Sequence, residues 1–250
     1  MRYSIGYQLP DQDDSIVEIA RDYREHVAEV YFALPGEASG RSPVDADPEA
    51  REAMEADLAA LSEMGVGLVL LYNAACYGDA ALTRGLADRV CRQTEVLLGR
   101  YRLTAVTTTS PFIARVLKER FPSLEMRASV NMRIGTIKGM EYQSSWFDGF
   151  YLQRELNRDP ARIEELKGWC DREGKSLHLL ANSGCLAHCS SQTFHDNLVA
   201  HEAGICTQEN VPSRYPSPCW EYLARREHWP AFLQNTWIRP EDLHHYERWF

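Results

Sequence analysis

The stretch Val66-Gly67-Leu68-Val69-Leu70-Leu71-Tyr72-Asn73 decides the fold. It is a continuous apolar run that stops at a polar residue, with Gly65 before it. A strand with one face in water would alternate apolar and polar residues, so this one is expected to be buried on both faces, as in a parallel sheet. The residues before it, 48–65, carry Ala, Met and Leu at helical spacing and end on Gly65, which reads as an amphipathic helix. Residues 80–99 repeat that spacing. Strand and helix thus alternate around the deciding run.

Extending the reading outward gives strands at 3–9, 27–34, 66–73, 103–109, 124–132, 149–156, 176–182 and 232–238. The intervening segments read as helices, with Pro111 in the first turn of one, a capped helix over 159–174, a helix over 191–203 and a last helix from Arg239. Eight strands alternating with helices over 250 residues predict an α/β fold, a TIM-like (β/α)8 barrel, in a single domain spanning 1–250. A doubly wound open sheet is the alternative, because periodicity does not decide closure. A long cysteine-containing insertion is expected at about 183–228, between strands seven and eight.

Composition narrows the function classes. The chain is 44% hydrophobic and 25% charged, with a formal charge of −9 and no basic block. Such a surface repels phosphate backbones and argues against a freestanding nucleic-acid binder. The N-terminal MRYSIGYQLPDQDD lacks the apolar core of a signal peptide, and no run of eighteen apolar residues exists. A cytoplasmic protein with no membrane partner is therefore expected.

Seven cysteines are many for such a protein, and four of them follow the spacing Cys185-x3-Cys189-x16-Cys206-x12-Cys219. In a reducing compartment a cluster of this kind points to metal binding or catalysis rather than disulfides. Thiolates suit both an iron–sulfur cluster and zinc. Cys76, after strand three, offers a further ligand. Cys91 and Cys170, on helical patterns, read as buried small side chains. Zinc finds nitrogen donors nearby in His188, His195 and His201, but His195 and His201 are six apart and face different sides of one helix.

In a barrel the chemistry gathers at the carboxyl ends of the strands. The polar residues at those ends are Asn73, Asn131, Arg154 and Glu155, Arg158, Asn182 and Arg239, with His195 in the insertion. Arg154 and Arg158 suit an anionic substrate. Glu155 is the nearest general base for a metal-bound water. No HExxH, GxSxG, P-loop or GxGxxG is present.

Several blocks together resemble the peptidase U32 (collagenase-like) family: NAACYG at 73–78, RASVNM at 127–132, YLQRELNRD at 151–159, LLANSGCLAHC at 179–189 and WIRPEDLHHYE at 237–247. The resemblance implies a TIM-like barrel. Members include proteins of oxygen-independent hydroxylation in ubiquinone biosynthesis, proteins needed to hydroxylate tRNA or ribosomal RNA bases, and proteins described as collagen-degrading peptidases. Several carry a [4Fe-4S] cluster on four cysteines. The resemblance maps those ligands to Cys185, Cys189 and Cys219, with Cys76 as the fourth and Cys206 as the alternative fourth. The chain departs from longer members by stopping just after the Arg239-Pro240-Glu241-Asp242-Leu243 block.

The expected function is oxygen-independent hydroxylation of an aromatic or nucleobase substrate. Glu155, His195 and Arg154 are its catalytic candidates, and Asn73, Asn131, Arg158, Asn182 and Arg239 its substrate-binding ones. A metal-dependent peptidase and a non-catalytic cluster-carrying subunit are the alternatives, the last with a protein partner of the same family. A small-molecule or RNA-base substrate fits the first reading.

Overall fold

A computed structural model describes residues 1–8, 15–41, 47–205 and 217–250. Seven strands form one all-parallel sheet in the order in which they occur: β1 (Tyr3–Gly6), β2 (Val27–Phe32), β3 (Gly67–Tyr72), β4 (Leu103–Thr108), β5 (Glu125–Ala128), β6 (Gly149–Tyr151) and β7 (Ser176–His178). Helices α1 (Ile16–Asp22), α2 (Pro48–Glu63), α3 (Arg84–Arg100), α4 (Pro111–Arg120), α5 (Ile137–Gln143) and α6 (Pro160–Arg172) provide the crossovers. Beyond β7 come α7 (Gln192–Ile205) and α8 (Pro218–Leu223). None of the described helices is long and apolar enough to cross a membrane.

The helix starts follow their capping chemistry. Ser15 closes a capping box with Glu18. Asp47, Ser110 and Asp159 each accept a backbone N–H from the first turn of α2, α4 and α6, and each of those helices opens on proline.

The two faces of the sheet do different work. Val30, Phe32, Leu68, Leu70, Tyr72, Val106, Met126 and Phe150 point outward into one core with Leu58, Leu61, Leu86, Ile113, Leu117, Ile163 and Leu166 from the helices. The alternate residues point inward, and many are polar. Arg127 on β5 donates to both carboxylate oxygens of Glu29 on β2, at 2.6 and 2.7 Å, and to Glu125 at 2.6 Å. In a flat sheet β2 and β5 would lie three strand spacings apart, about 14 Å. The pair meets because the sheet curls these strands toward one another.

The curl does not close. Among the described residues β1 and β7 do not pair, and the eighth strand expected at 232–238 is absent. Arg226–Gln234 is a 3₁₀ segment containing Pro230, and Asn235 makes one isolated antiparallel bridge with Leu186. Proline removes a ladder donor there. Several carbonyls a strand would use are already taken: Leu233 and Trp237 accept from Arg158, and Thr236 accepts from Asn157. The strands at 149–156, 124–132 and 176–182 are also shorter than their apolar patterns. β5 and β6 give way to 3₁₀ turns at Val130–Met132 and Arg154–Leu156. The closing segment Pro240–Tyr246 is likewise 3₁₀ rather than α-helical.

Candidate active site

The carboxyl ends of β2 to β7 surround a cavity of about 170 Å³. Its polar lining comes from successive exits: Asn73 after β3, Thr107 on β4, Ser129 and Asn131 after β5, and Arg154 after β6. Gly40 and Arg41, from the loop after β2, reach over the same opening. Tyr31, Tyr151, Leu71, Leu180 and Val130 make the apolar walls. The Arg41 guanidinium stands 5.4 Å from the centre of the Tyr31 ring.

Local hydrogen bonds set the direction of each polar group. Arg154 Nη2 donates to Asn131 Oδ1 at 2.7 Å, and the Gly40 N–H donates to Asn73 Oδ1 at 2.8 Å. With their oxygens occupied, both asparagines keep their NH2 groups for other partners. Those two NH2 groups converge on Gly40, where a Cβ would lie 2.6 Å from Asn131 Nδ2 and 3.0 Å from Asn73 Nδ2. A side chain at Gly40 would therefore displace the Asn131 amide and crowd the Asn73 carbonyl.

Three buried atoms of this lining have no hydrogen-bond partner among the described residues: Nε and Nη1 of Arg154 and Oγ1 of Thr107. Buried polar groups are nearly always satisfied, so these three atoms are an uncommon feature of the cavity wall.

Beneath the cavity lies a charged floor. Ser176 Oγ is 2.8 Å from Glu125 Oε1 and 2.8 Å from His178 Nε2, while Glu125 and His178 are 3.8 Å apart, so the hydroxyl bridges them. Tyr151 stacks on His178 at 5.0 Å. Burial would raise the Glu125 pKa, but His178, Arg127 and the Ser176 hydroxyl outweigh it and hold the carboxyl well below its ordinary range. Burial depresses His178 despite Glu125 beside it, which favours neutral imidazole. Burial also pushes the Tyr151 phenol up to about 12, so it stays protonated at neutral pH.

The residues expected from strand-end position separate into groups. Asn73, Asn131 and Arg154 line the mouth together. Glu155 sits half-buried in the turn Arg154–Leu156, outside that lining. Arg158 spends all three nitrogens on the C-terminal limb, reaching Leu233 O at 2.8 Å, Trp237 O and Asn235 Oδ1. Arg239 forms a two-point pair with Asp242 at 2.8 and 2.9 Å. Asn182 and His195 are exposed on the segment after β7 and on α7. Tyr31, Arg41, Thr107 and Tyr151 line the mouth as well. Period-two alternation from Gly149 offered a signal for Tyr151, while Arg41, on a loop, had none.

The cysteines also separate. Cys185 and Cys189 lie on the turn after β7, with His188 between them in the left-handed region at φ 57°. The Thr236 N–H donates to Cys185 O at 2.8 Å and fixes this turn against the C-terminal limb. Cys219 opens α8. Burial raises its thiol pKa, and Cys189 and Cys185 act on it in the same direction, so the three thiols share one neighbourhood. Cys76 instead lines a separate depression of about 400 Å³ with Tyr77, Arg89 and His201. Cys206 lies outside the described residues. Among the described residues no group of three or more His, Cys, Asp or Glu side chains is arranged to hold a metal ion. Cys170 is buried against Met140 in α6.

Comparison with known proteins bears on the fold. No family model and no curated protein sequence matches the chain. Among solved structures, the U32 peptidase Mk0906 superposes with a TM-score of 0.68 at 15% identity, covering 97% of this chain and 90% of that one. An α-amylase from Lactobacillus plantarum matches 69% of this chain and 58% of its own, at 12% identity and a TM-score of 0.37, a likeness that carries no argument. The class defined is thus a parallel α/β sheet curled like an incomplete TIM barrel. The chain shares its fold with a U32 peptidase along almost its whole length.

Proposed function

We propose that the chain is a U32-type iron–sulfur enzyme acting in oxygen-independent hydroxylation of an aromatic or nucleobase substrate held at the sheet mouth, with an organic oxygen donor supplying the hydroxyl group and accepting the two electrons in place of dioxygen. The observation that carries this reading is the position of Cys185 and Cys189 on the turn after β7, the strand whose exit residue Leu180 also lines the mouth cavity, with Cys219 following them in the sequence. Three thiols in one neighbourhood are the donor chemistry a [4Fe-4S] cluster asks for. They are not drawn up as a finished chelate, so cluster loading would have to bring the sulfurs together. Cys76 is the fourth ligand in this reading and Cys206 the alternative.

A cluster bound there supplies one-electron chemistry. The chain's own residues do the rest: Tyr31 and Tyr151 offer flat walls to a ring, and the Asn73 and Asn131 amides and the Arg154 guanidinium orient it. Anaerobically purified protein should show broad visible absorption, with about four irons and four sulfides per chain. Cys185→Ala should abolish it, and comparing Cys76→Ala with Cys206→Ala should identify the fourth ligand. Protein with neither iron nor acid-labile sulfide would overturn the cluster, and zinc in their place would favour a metal-dependent peptidase.

The peptidase is the second reading, favoured by the fold shared with a U32 peptidase. It would use Glu155 as general base, and it predicts chelator-sensitive cleavage of denatured collagen or casein.

A further inference from the structure

We infer that the mouth cavity is an oxyanion site and that its ligand is a compact, flat molecule bearing a carboxylate. This names the substrate class of the proposed enzyme and rests on the mouth being its pocket, but not on the cluster.

The argument begins with sign. The chain carries a formal charge of −9, yet the described lining holds two arginines, Arg41 and Arg154, and no carboxylate. The acids below the cavity, Glu29 and Glu125, are both bound to Arg127. Among the described residues, the opening at the carboxyl ends of the strands is thus positive in a molecule of negative net charge.

Donor count gives the second step. Arg154 keeps two partnerless nitrogens buried behind the lining, and both asparagines have their acceptor oxygens already engaged. What remains to face a ligand is mainly N–H. Leaving buried guanidinium donors unmade is costly, more so than for neutral groups. An oxyanion accepts several such bonds at once, whereas a neutral carbonyl or amide satisfies fewer and adds no charge.

Shape gives the third step. A space of about 170 Å³ is well below the ~300–1,000 Å³ of pockets for drug-sized ligands. Its walls at Tyr31 and Tyr151 are aromatic, and Leu71, Val130 and Leu180 complete the apolar side. A planar carboxylate whose ring lies against these walls uses both halves of the lining. Inorganic phosphate would use only the polar half.

The test is calorimetric titration of the anaerobically purified chain with benzoate, benzamide and inorganic phosphate, with iron and sulfide counted on the same samples. Benzoate should bind, and benzamide, the same ring without the charge, should bind at least about tenfold more weakly. Phosphate binding as tight as benzoate would overturn the flat-ligand part of the inference, and benzamide binding equal to benzoate would overturn the oxyanion. No detectable benzoate binding would also overturn it. Arg154→Gln should weaken benzoate about ten- to hundred-fold. Should that variant fail to fold, Asn73→Asp serves: it keeps the acceptor for Gly40 N–H and replaces a donor with a negative charge. Unchanged benzoate affinity in Asn73→Asp would sink the site. Protein that binds benzoate but lacks iron fails the cluster reading alone, and the reverse result fails this one alone.

Discussion

Gly149 shows how one residue's lack of a side chain holds the interior together. A Cβ there would lie 2.2 Å from Ser176 Oγ, 3.1 Å from Glu125 Oε1 and 3.3 Å from His178 Nε2. Those three atoms form the bridge beneath the mouth, so the serine would have to turn away and leave Glu125 and His178 without their link. Gly149→Ala is expected to cost about 1–3 kcal/mol by overpacking, read as a lower urea midpoint. Arg127 sits beside the same bridge and is only 5% exposed in its side chain. Truncating it to alanine leaves two carboxylates facing each other without a cation, and about 3–5 kcal/mol of destabilisation is expected in the same urea measurement. The two variants separate a steric effect from an electrostatic one. Nothing in the local sequence around Gly149 announces this role, because the three atoms come from strands 24 to 29 residues away on either side.

The C-terminal limb shows why some elements were legible and others were not. The helices declared themselves through spacing and caps: Ser15, Ser110 and Asp159 each stand where the side chain meets the first free N–H groups. The deciding run at 66–73 became β3, buried at every position. The run at 232–238, Phe-Leu-Gln-Asn-Thr-Trp-Ile, reads as a strand but is not one, and Phe232, Leu233 and Trp237 are exposed there. What shapes it is long-range: Asn157 Nδ2 donates to Leu180 O at 2.9 Å and to Thr236 O at 2.8 Å, and the Tyr246 hydroxyl donates back to Asn157 O. Those partners lie up to 89 residues apart, beyond any window of periodicity. Asn157→Ala would take the side-chain donor from the Leu180 carbonyl beyond β7 and the Thr236 carbonyl of this limb. A loss of about 1–3 kcal/mol is expected, together with faster limited proteolysis between residues 225 and 238; an unchanged cleavage rate would count against the clamp. The same long-range logic sorts the strand-exit arginines, since Arg154 turns into the mouth while Arg158, one helical turn on, is consumed by the limb.

At the scale of the molecule, the sheet curls around a charged interior instead of the layered aliphatic filling usual in closed barrels. Strand count and alternation could predict a curled parallel sheet, but closure depends on an eighth strand whose hydrogen-bonding groups are committed elsewhere. The interior charges then govern how stability responds to acid. His178 has its pKa depressed in the folded state, first by burial, from an ordinary value of 6.5. The unfolded chain therefore takes up a proton at this site before the folded one does, and stability falls as pH drops below about 6.5. Glu125, also depressed when folded, contributes stability that is present above its ordinary 4.5 and is lost as pH falls further. Two successive losses are expected in urea midpoints measured from about pH 8 down to pH 4. His178→Gln should remove the upper one and leave the lower one in place, because glutamine takes up no proton while Glu125 keeps Arg127 and Ser176. If the variant declines as steeply as the parent between about pH 7 and pH 5.5, the acid response above the carboxylate range originates elsewhere, and neutral His178 is not what the curled interior protects.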